Sequence, residues 1–152
     1  MQRIEWSEEF EIGIHVIDKQ HKRIVDYINA LVDMGDNAET EEVARLIDSL
    51  VDYTHSHFAF EESLMEEAEY EFLSVHKGTH EAFGRRIKDL YAQFKDGKEV
   101  TRALGQLLQA WLTEHIKSDD QSYGPLVRQK FSQIENKANG RWIPNTIRRY
   151  FK

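Results

Sequence analysis

From Ile17 onward, apolar residues recur at intervals of three and four, as Ile17, Ile24, Val25, Ile28, Leu31 and Val32. This is the stripe of an amphipathic helix, and Gly35 predicts its stop. His21 lies four after Ile17 and four before Val25, so its imidazole shares the apolar face. Residues 1–17 hold Trp6, Phe10, Ile12 and Ile14 without a sustained period and predict an extended arm whose aromatics pack on the body. A second stripe runs Val43, Leu46, Ile47, Leu50, Thr54, His57, Phe58, Glu61, Leu64 and Met65, with Asn37 or Thr40 as the expected cap. An acidic loop from Glu66 to Glu71 follows. Ser74 is the expected cap of a third helix, which carries His76, His80, Phe83, Ile87, Leu90, Tyr91 and Phe94 on one face and closes at Gly97. The fourth starts near Thr101 and runs Leu104, Leu108, Trp111, His115.

After His115 the register shifts. Asp120 is five residues further on, about 140° away on an ideal helix, whereas Asp119 at four is better placed. Yet Asp120, Tyr123 and Val127 follow one another at helical spacing. A one-residue slip between His115 and Asp120, as in a π-bulge, reconciles the two stripes, and such bulges often sit at functional sites. On spacing alone Asp119 stays a rival to Asp120.

Gly124-Pro125 predicts a break or bend, residues 126–138 a short fifth helix, and Asn139-Gly140 a turn. Four helices with short connections predict an all-α, antiparallel up-down-up-down four-helix bundle over residues 1–138, with 1–17 as its N-terminal arm. Residues 139–152 form a basic, aromatic C-terminal tail with Trp142, Tyr150 and Phe151.

At 152 residues the chain is expected to be one domain with a genuine core. Its net charge of −7 argues against nucleic-acid binding. From residue 125 to the end, however, there are seven Lys/Arg against one carboxylate, Glu135. This leaves two uses for the tail: a packing arm on the acidic bundle, or a docking segment for an acidic protein partner or membrane surface. The chain has no cysteine, which excludes disulfides, thiolate metal sites and thiol catalysis. The opening residues lack the apolar core of a signal peptide, and no apolar run is long enough to insert in a bilayer, so the expected compartment is the cytoplasm.

Five of the seven histidines fall on inward faces: His21, His57, His76, His80 and His115. His57 with Glu61, and His76 with His80, lie one helical turn apart on the same face. Buried polar groups without partners cost roughly 1–3 kcal/mol each. Seven of them in one core would consume most of a stability of about 5–15 kcal/mol. Bound metal converts that penalty into coordination bonds. Imidazole with carboxylate suits iron, zinc, copper, nickel or manganese. The His-Glu-x-x-His of zinc proteases is absent, and no histidine has a glutamate three before it, which disfavours ferritin-like di-iron oxidases. With two bridging carboxylates and one bridging oxygen, the set fills all but one position of two six-coordinate ions. An open position on a nitrogen-rich pair suits a small ligand such as O2.

The chain strongly resembles the hemerythrin family, in particular its single-domain bacterial members. The resemblance covers roughly Trp6 to Tyr123. It is carried by Ile17-Asp18-Lys19-Gln20-His21-Lys22, His57-Phe58-Ala59-Phe60-Glu61, His76-Lys77-Gly78-Thr79-His80 and His115-Ile116-Lys117-Ser118-Asp119-Asp120, with Tyr123 beyond. It implies two iron ions per chain in an oxo- or hydroxo-bridged di-iron centre that takes O2 as a reversible ligand. His76, His80 and His115 would hold the coordinatively full iron, His21 and His57 the iron with the vacant position, and Glu61 and Asp120 would bridge them. The family pattern thus favours Asp120 over Asp119. Ile24, Phe58, Trp111, Leu112 and Ile116 match positions that wall the family's O2 pocket. His15 and His55 match no ligand position and are expected at the surface or in packing.

The expected function is O2 storage, delivery or buffering by a protein that is not an enzyme. The alternatives are an O2 or redox sensor signalling through a partner that its tail engages, or a di-iron enzyme acting on peroxide or nitric oxide. Iron-centre repair is disfavoured, since relatives of that type carry a cysteine-bearing segment.

Overall fold

In the computed structural model, the described residues are 3–35, 39–99, 101–137 and 139–151, the side chains of Asp119 and Lys137 excepted. Four long helical elements pack in a ring: α1 (His15–Met34), α2 (Thr40–Glu67), α3 (Leu73–Lys95) and α4 (Thr101–Glu114). α1 touches α2 and α4, and α3 touches α2 and α4. With short connections, this is the antiparallel up-down-up-down arrangement. The buried residues of α1 are Ile17, Gln20, His21, Ile24, Val25, Ile28, Asn29 and Leu31, the three-and-four spacing of a single inward face. Gly35 ends α1 with φ +65°, a conformation that side chains with a Cβ resist.

The helix starts differ from the expected caps. α2 begins at Thr40 itself, with Glu39 as the preceding cap residue and no side-chain capping bond. Asn37, the other expected cap, lies outside the described residues. Ser74 lies inside α3, whose cap position is Phe72. At the far end of α3, Gly97 (φ +87°) donates to the Phe94 carbonyl and Lys98 to that of Gln93, the paired bonds of a Schellman cap. Of the acidic stretch 66–71, Glu66 and Glu67 belong to α2, and Ala68 is buried.

The N-terminal arm bends at Gly13 (φ +82°) after a 3-10 turn at Glu8–Phe10, and α1 takes over two residues earlier than expected, at His15. Ile12 and Ile14 on either side of the bend are buried while Glu11 and Gly13 stay exposed. Asn29 clamps the arm by accepting from the Ile4 amide (2.7 Å) and donating to the Ile4 carbonyl (2.9 Å). Asp18 accepts the Ile12 amide at 2.9 Å, and Arg128 donates to the Ile12 carbonyl.

Gly124-Pro125 does not break the chain. α4 passes through a π-helical segment, His115–Asp120, directly into α5 (Gln121–Lys137), with Pro125 inside it. Proline forfeits one backbone bond and crowds the residue before it, but here that residue is glycine and has no Cβ to clash. Gly124 also admits the arm: a Cβ there would sit 3.4 Å from the Ile12 carbonyl oxygen and 3.0 Å from Arg128 Nη1. A last helix, α6 (Trp142–Tyr150), lies against α2 and α5. Trp142 meets Phe60 edge-on at 5.6 Å, Phe151 packs on Tyr53 at 5.1 Å, and Ser63 donates to the Tyr150 hydroxyl at 2.9 Å. No helix among the described residues is long and apolar enough to cross a membrane.

Candidate metal centre

α1, α2, α3 and the π-helical segment that continues α4 send side chains to one point in the bundle. α1 supplies His21, α2 His57 and Glu61, α3 His76 and His80, and the π-helical segment His115 and Asp120. All seven are buried. The π segment solves the register problem of the fourth helix. It widens the turn so that residues five apart share a face, and His115 Nε2 lies 3.0 Å from Asp120 Oδ1. The slip expected from the sequence is therefore present; the side chain of the rival, Asp119, lies outside the described residues.

The donors fall into two groups sharing Glu61, one with His76, His80 and His115, the other with His21, His57 and Asp120. Glu61 Oε1 is 2.8 Å from His76 Nε2, 3.0 Å from His80 Nε2 and 3.7 Å from His115 Nε2. Its Oε2 is 3.3 Å from His57 Nε2 and 3.8 Å from His21 Nε2. Asp120 divides in the same sense: Oδ1 faces His115 (3.0 Å) and His76 (3.2 Å), and Oδ2 faces His21 (3.1 Å). Glu61 thus turns one oxygen to three imidazoles and the other to two, and Asp120 one oxygen to two imidazoles and the other to one.

Protein groups alone do not satisfy this cluster. Both ring nitrogens of His21, Nε2 of His57 and both oxygens of Asp120 are buried without a hydrogen bond. His80 Nε2 and His115 Nε2 stand 3.1 Å apart, both turned into the cluster. Cations between these atoms would satisfy them, His21 Nδ1 on the far side of its ring excepted, and the nitrogen-and-oxygen donor set suits a first-row transition metal. Each of the two groups is able to hold a metal ion.

Charge follows the same division. Burial pushes the Glu61 carboxyl up, but contacts with His115, His57, His76 and His80 outweigh it and hold the group well below the usual range. Burial and the neighbouring Glu61 charge push Asp120 up, and contacts with His115 and His21 more than reverse this. Against burial, Asp120 and Glu61 raise His76 to about 9 and His115 to about 10. His57 goes the other way: burial lowers it, and Glu61 only partly compensates.

Three side chains steady the cluster from outside. Gln20 Oε1 lies 2.7 Å from His57 Nδ1, so that nitrogen donates outward and leaves Nε2 bare toward the site. Glu62 Oε2 does the same for His80 Nδ1 at 3.1 Å. Tyr123 donates to Glu61 Oε2 at 2.9 Å, and burial, with the nearby carboxylates, pushes its phenol well above the ordinary value. Sequence reasoning assigned no role to Gln20 or Glu62. The signal was present for Gln20, three after Ile17 and four before Ile24, and for Glu62, one turn after Phe58.

Among the expected pocket residues, Ile24, Phe58, Leu112 and Ile116 are buried and Trp111 is half-buried. Phe58 stacks on His80 with centroids 3.9 Å apart, and Trp111 on His115 at 4.3 Å. His15 and His55 are exposed and outside the cluster.

The family model of the hemerythrin HHE cation binding domain matches residues 12–127. A bacteriohemerythrin of Pseudomonas paraeruginosa is 43% identical over 152 residues, 99% of each chain, so the similarity takes in the C-terminal helix. One from Stenotrophomonas maltophilia is 40% identical over 147 residues, 96% of each chain. The crystal structure of a wild-type hemerythrin aligns with a TM-score of 0.79 and 31% identity, covering 83% of this chain and 98% of that one.

Proposed function

The chain belongs to the hemerythrin family, and from that we propose that it binds O2 reversibly at a non-haem di-iron centre, for storage, delivery or buffering. In this reading His76, His80 and His115 would hold one iron, His21 and His57 would hold the other, and Glu61 and Asp120 would serve both. The observation that carries it is the split of each carboxylate, one oxygen toward the three-histidine group and one toward the two-histidine group. The second group is one imidazole short, which leaves room there for a small ligand. Two ferrous ions, when bound, supply the electrons that O2 borrows and returns.

The protein's own residues make the exchange reversible. Ile24, Phe58, Trp111, Leu112 and Ile116 keep the surroundings apolar and exclude water and stray protons. Gln20 and Glu62 hold His57 and His80 in the tautomer that presents Nε2. Tyr123 keeps its proton and holds Glu61 by Oε2, the oxygen on the two-histidine side. We take this as a binding site and not a site of turnover, since the phenol held so firmly to Glu61 is poorly suited to give up its proton. The C-terminal helix acts as a packing arm on α2, and the cytoplasm is the proposed location.

Anaerobic loading with ferrous iron, metal analysis and optical titration with O2 test the proposal. Two irons per chain and an O2-dependent absorption band that vanishes on degassing are expected. One zinc per chain, or steady consumption of O2 with added reductant, would overturn it.

A further inference from the structure

A second site lies on the other side of α1, between the N-terminal arm, α5 and α6. α6 uses Trp142, Tyr150 and the adjoining Phe151 to grip α2, but Ile143 and Ile147, one turn apart, face a cavity of about 720 Å³ instead. Ile14, Val16 and Phe131 complete its apolar wall. Ile147 stays 36% exposed, one of only a few large apolar side chains so placed among the described residues. A groove of about 300 Å³ shares Val16, Lys19 and Ile147 with the cavity and continues it toward Tyr53 and Phe151. The result is an elongated apolar slot within the size range of small-molecule sites.

Its charged groups carry one sign. Lys19 and Arg128 line the cavity together with His15, and no carboxylate does. This stands out in a chain with 27 Asp/Glu against 20 Lys/Arg. The Arg128 guanidinium donates to the Ile12 carbonyl, which leaves its charge unneutralised, and Lys19 forms no ion pair among the described residues. An apolar slot rimmed by uncompensated cations matches a molecule with a long apolar chain and a single anionic head. The slot is a cleft between three elements, and the chain's net charge of −7 opposes an anionic bilayer, so a single amphiphile fits better than a membrane surface.

We propose that the slot between α1, α5 and α6 binds a free fatty carboxylate, its head between Lys19 and Arg128 and its chain along Phe131, Ile143 and Ile147. The site is separate from the metal centre, and its test does not depend on O2 binding. Calorimetric titration of the full-length, metal-loaded protein with sodium dodecanoate, below its micelle concentration, is expected to show saturable one-to-one binding. The affinity should exceed that for dodecanol and for dodecyltrimethylammonium at least tenfold. Lys19→Glu, at an exposed position, should cut dodecanoate affinity at least tenfold and leave dodecanol unchanged. Ile147→Trp, which fills the slot, should abolish binding of both, with helical circular dichroism and metal content preserved. Equal affinity for dodecanoate and dodecanol, dodecanoate binding that Lys19→Glu leaves intact, or no saturable binding would each overturn the assignment.

Discussion

In the three-histidine half of the buried cluster, Phe58 lies flat on His80 and Trp111 on His115, while His76 meets Tyr123 edge-on at 5.5 Å. In the two-histidine half, His21 and His57 meet only one another at a similar edge-on contact of 4.7 Å, apart from Phe58 beside His57 at 6.0 Å. The outer partners differ as well: a carboxylate, Glu62, on His80, but a neutral amide, Gln20, on His57. So does basicity. His76 and His115 are raised, and His57 is lowered. Without metal, two protonated imidazoles on one side therefore balance the two carboxylates. The three-histidine half can hold itself together with protons. The other half keeps bare nitrogens whose demand only a cation meets.

Removing the shared element should erase the difference between the halves altogether. Glu61→Leu takes away the group that both halves share and leaves two protonated imidazoles buried with Asp120 as the one carboxylate of the cluster, a loss of about 3–5 kcal/mol in the metal-free protein. Metal analysis should find neither iron retained, and a urea midpoint should fall accordingly; retention of one iron would show that the halves are independent.

pH should separate the halves next. For His76 and His115 the folded values, about 9 and about 10, exceed the unfolded value near 6.5. Their contribution is fully present below pH ~6.5 and is lost as pH rises through the folded values. Glu61 and Asp120 are depressed, so theirs is present above the ordinary carboxylate range and lost in acid. Urea midpoints of the metal-free protein should therefore peak near neutral to mildly acidic pH and fall toward pH 9–10, by on the order of a few kcal/mol. Metal loading near pH 7.5 should release about two protons per chain, read from the buffer dependence of the calorimetric heat, and abolish the alkaline decline.

The outer partners give a gentler test. Gln20→Ala should weaken metal held by His21 and His57, and Glu62→Ala metal held by His76, His80 and His115, each roughly 10–100-fold. Staged metal loss to a chelator should show a different ion leaving first in the two variants. Tyr123→Phe removes one bond to a buried carboxylate and should cost about 1.5–3 kcal/mol in thermal or urea unfolding, with both metals retained.

Much of this was legible in the order of residues. The inward stripes around Ile17, Ile47 and His76 mark three helices, because burial of one face demands a period near 3.6. The slip between His115 and Asp120 was legible because two stripes failed to join, an internal conflict that only a wider turn resolves. Misreadings came from local signals that neighbours override. Ser74 has the chemistry of a cap, yet α3 starts before it, at Leu73. Gly124-Pro125 has the chemistry of a break, but it sits inside a helix against which the arm packs at Ile12, close enough to use the missing Cβ. The order of residues leaves packing and docking both open for the tail; the contacts of Trp142 with Phe60 and of Phe151 with Tyr53, some eighty to a hundred positions away, support packing.

By itself, then, the sequence determined the four helices, the seven candidate donors and the family, since each rests on spacing along one element or on a motif. Which oxygen of Glu61 and Asp120 faces which imidazole, that Gln20 and Glu62 set two tautomers, and that α6 leaves a cationic slot beside α1 were decided only by tertiary structure. Those are relations between helices, and the phase of one helix against its neighbour is set by packing across the core rather than by anything repeated along a single chain segment.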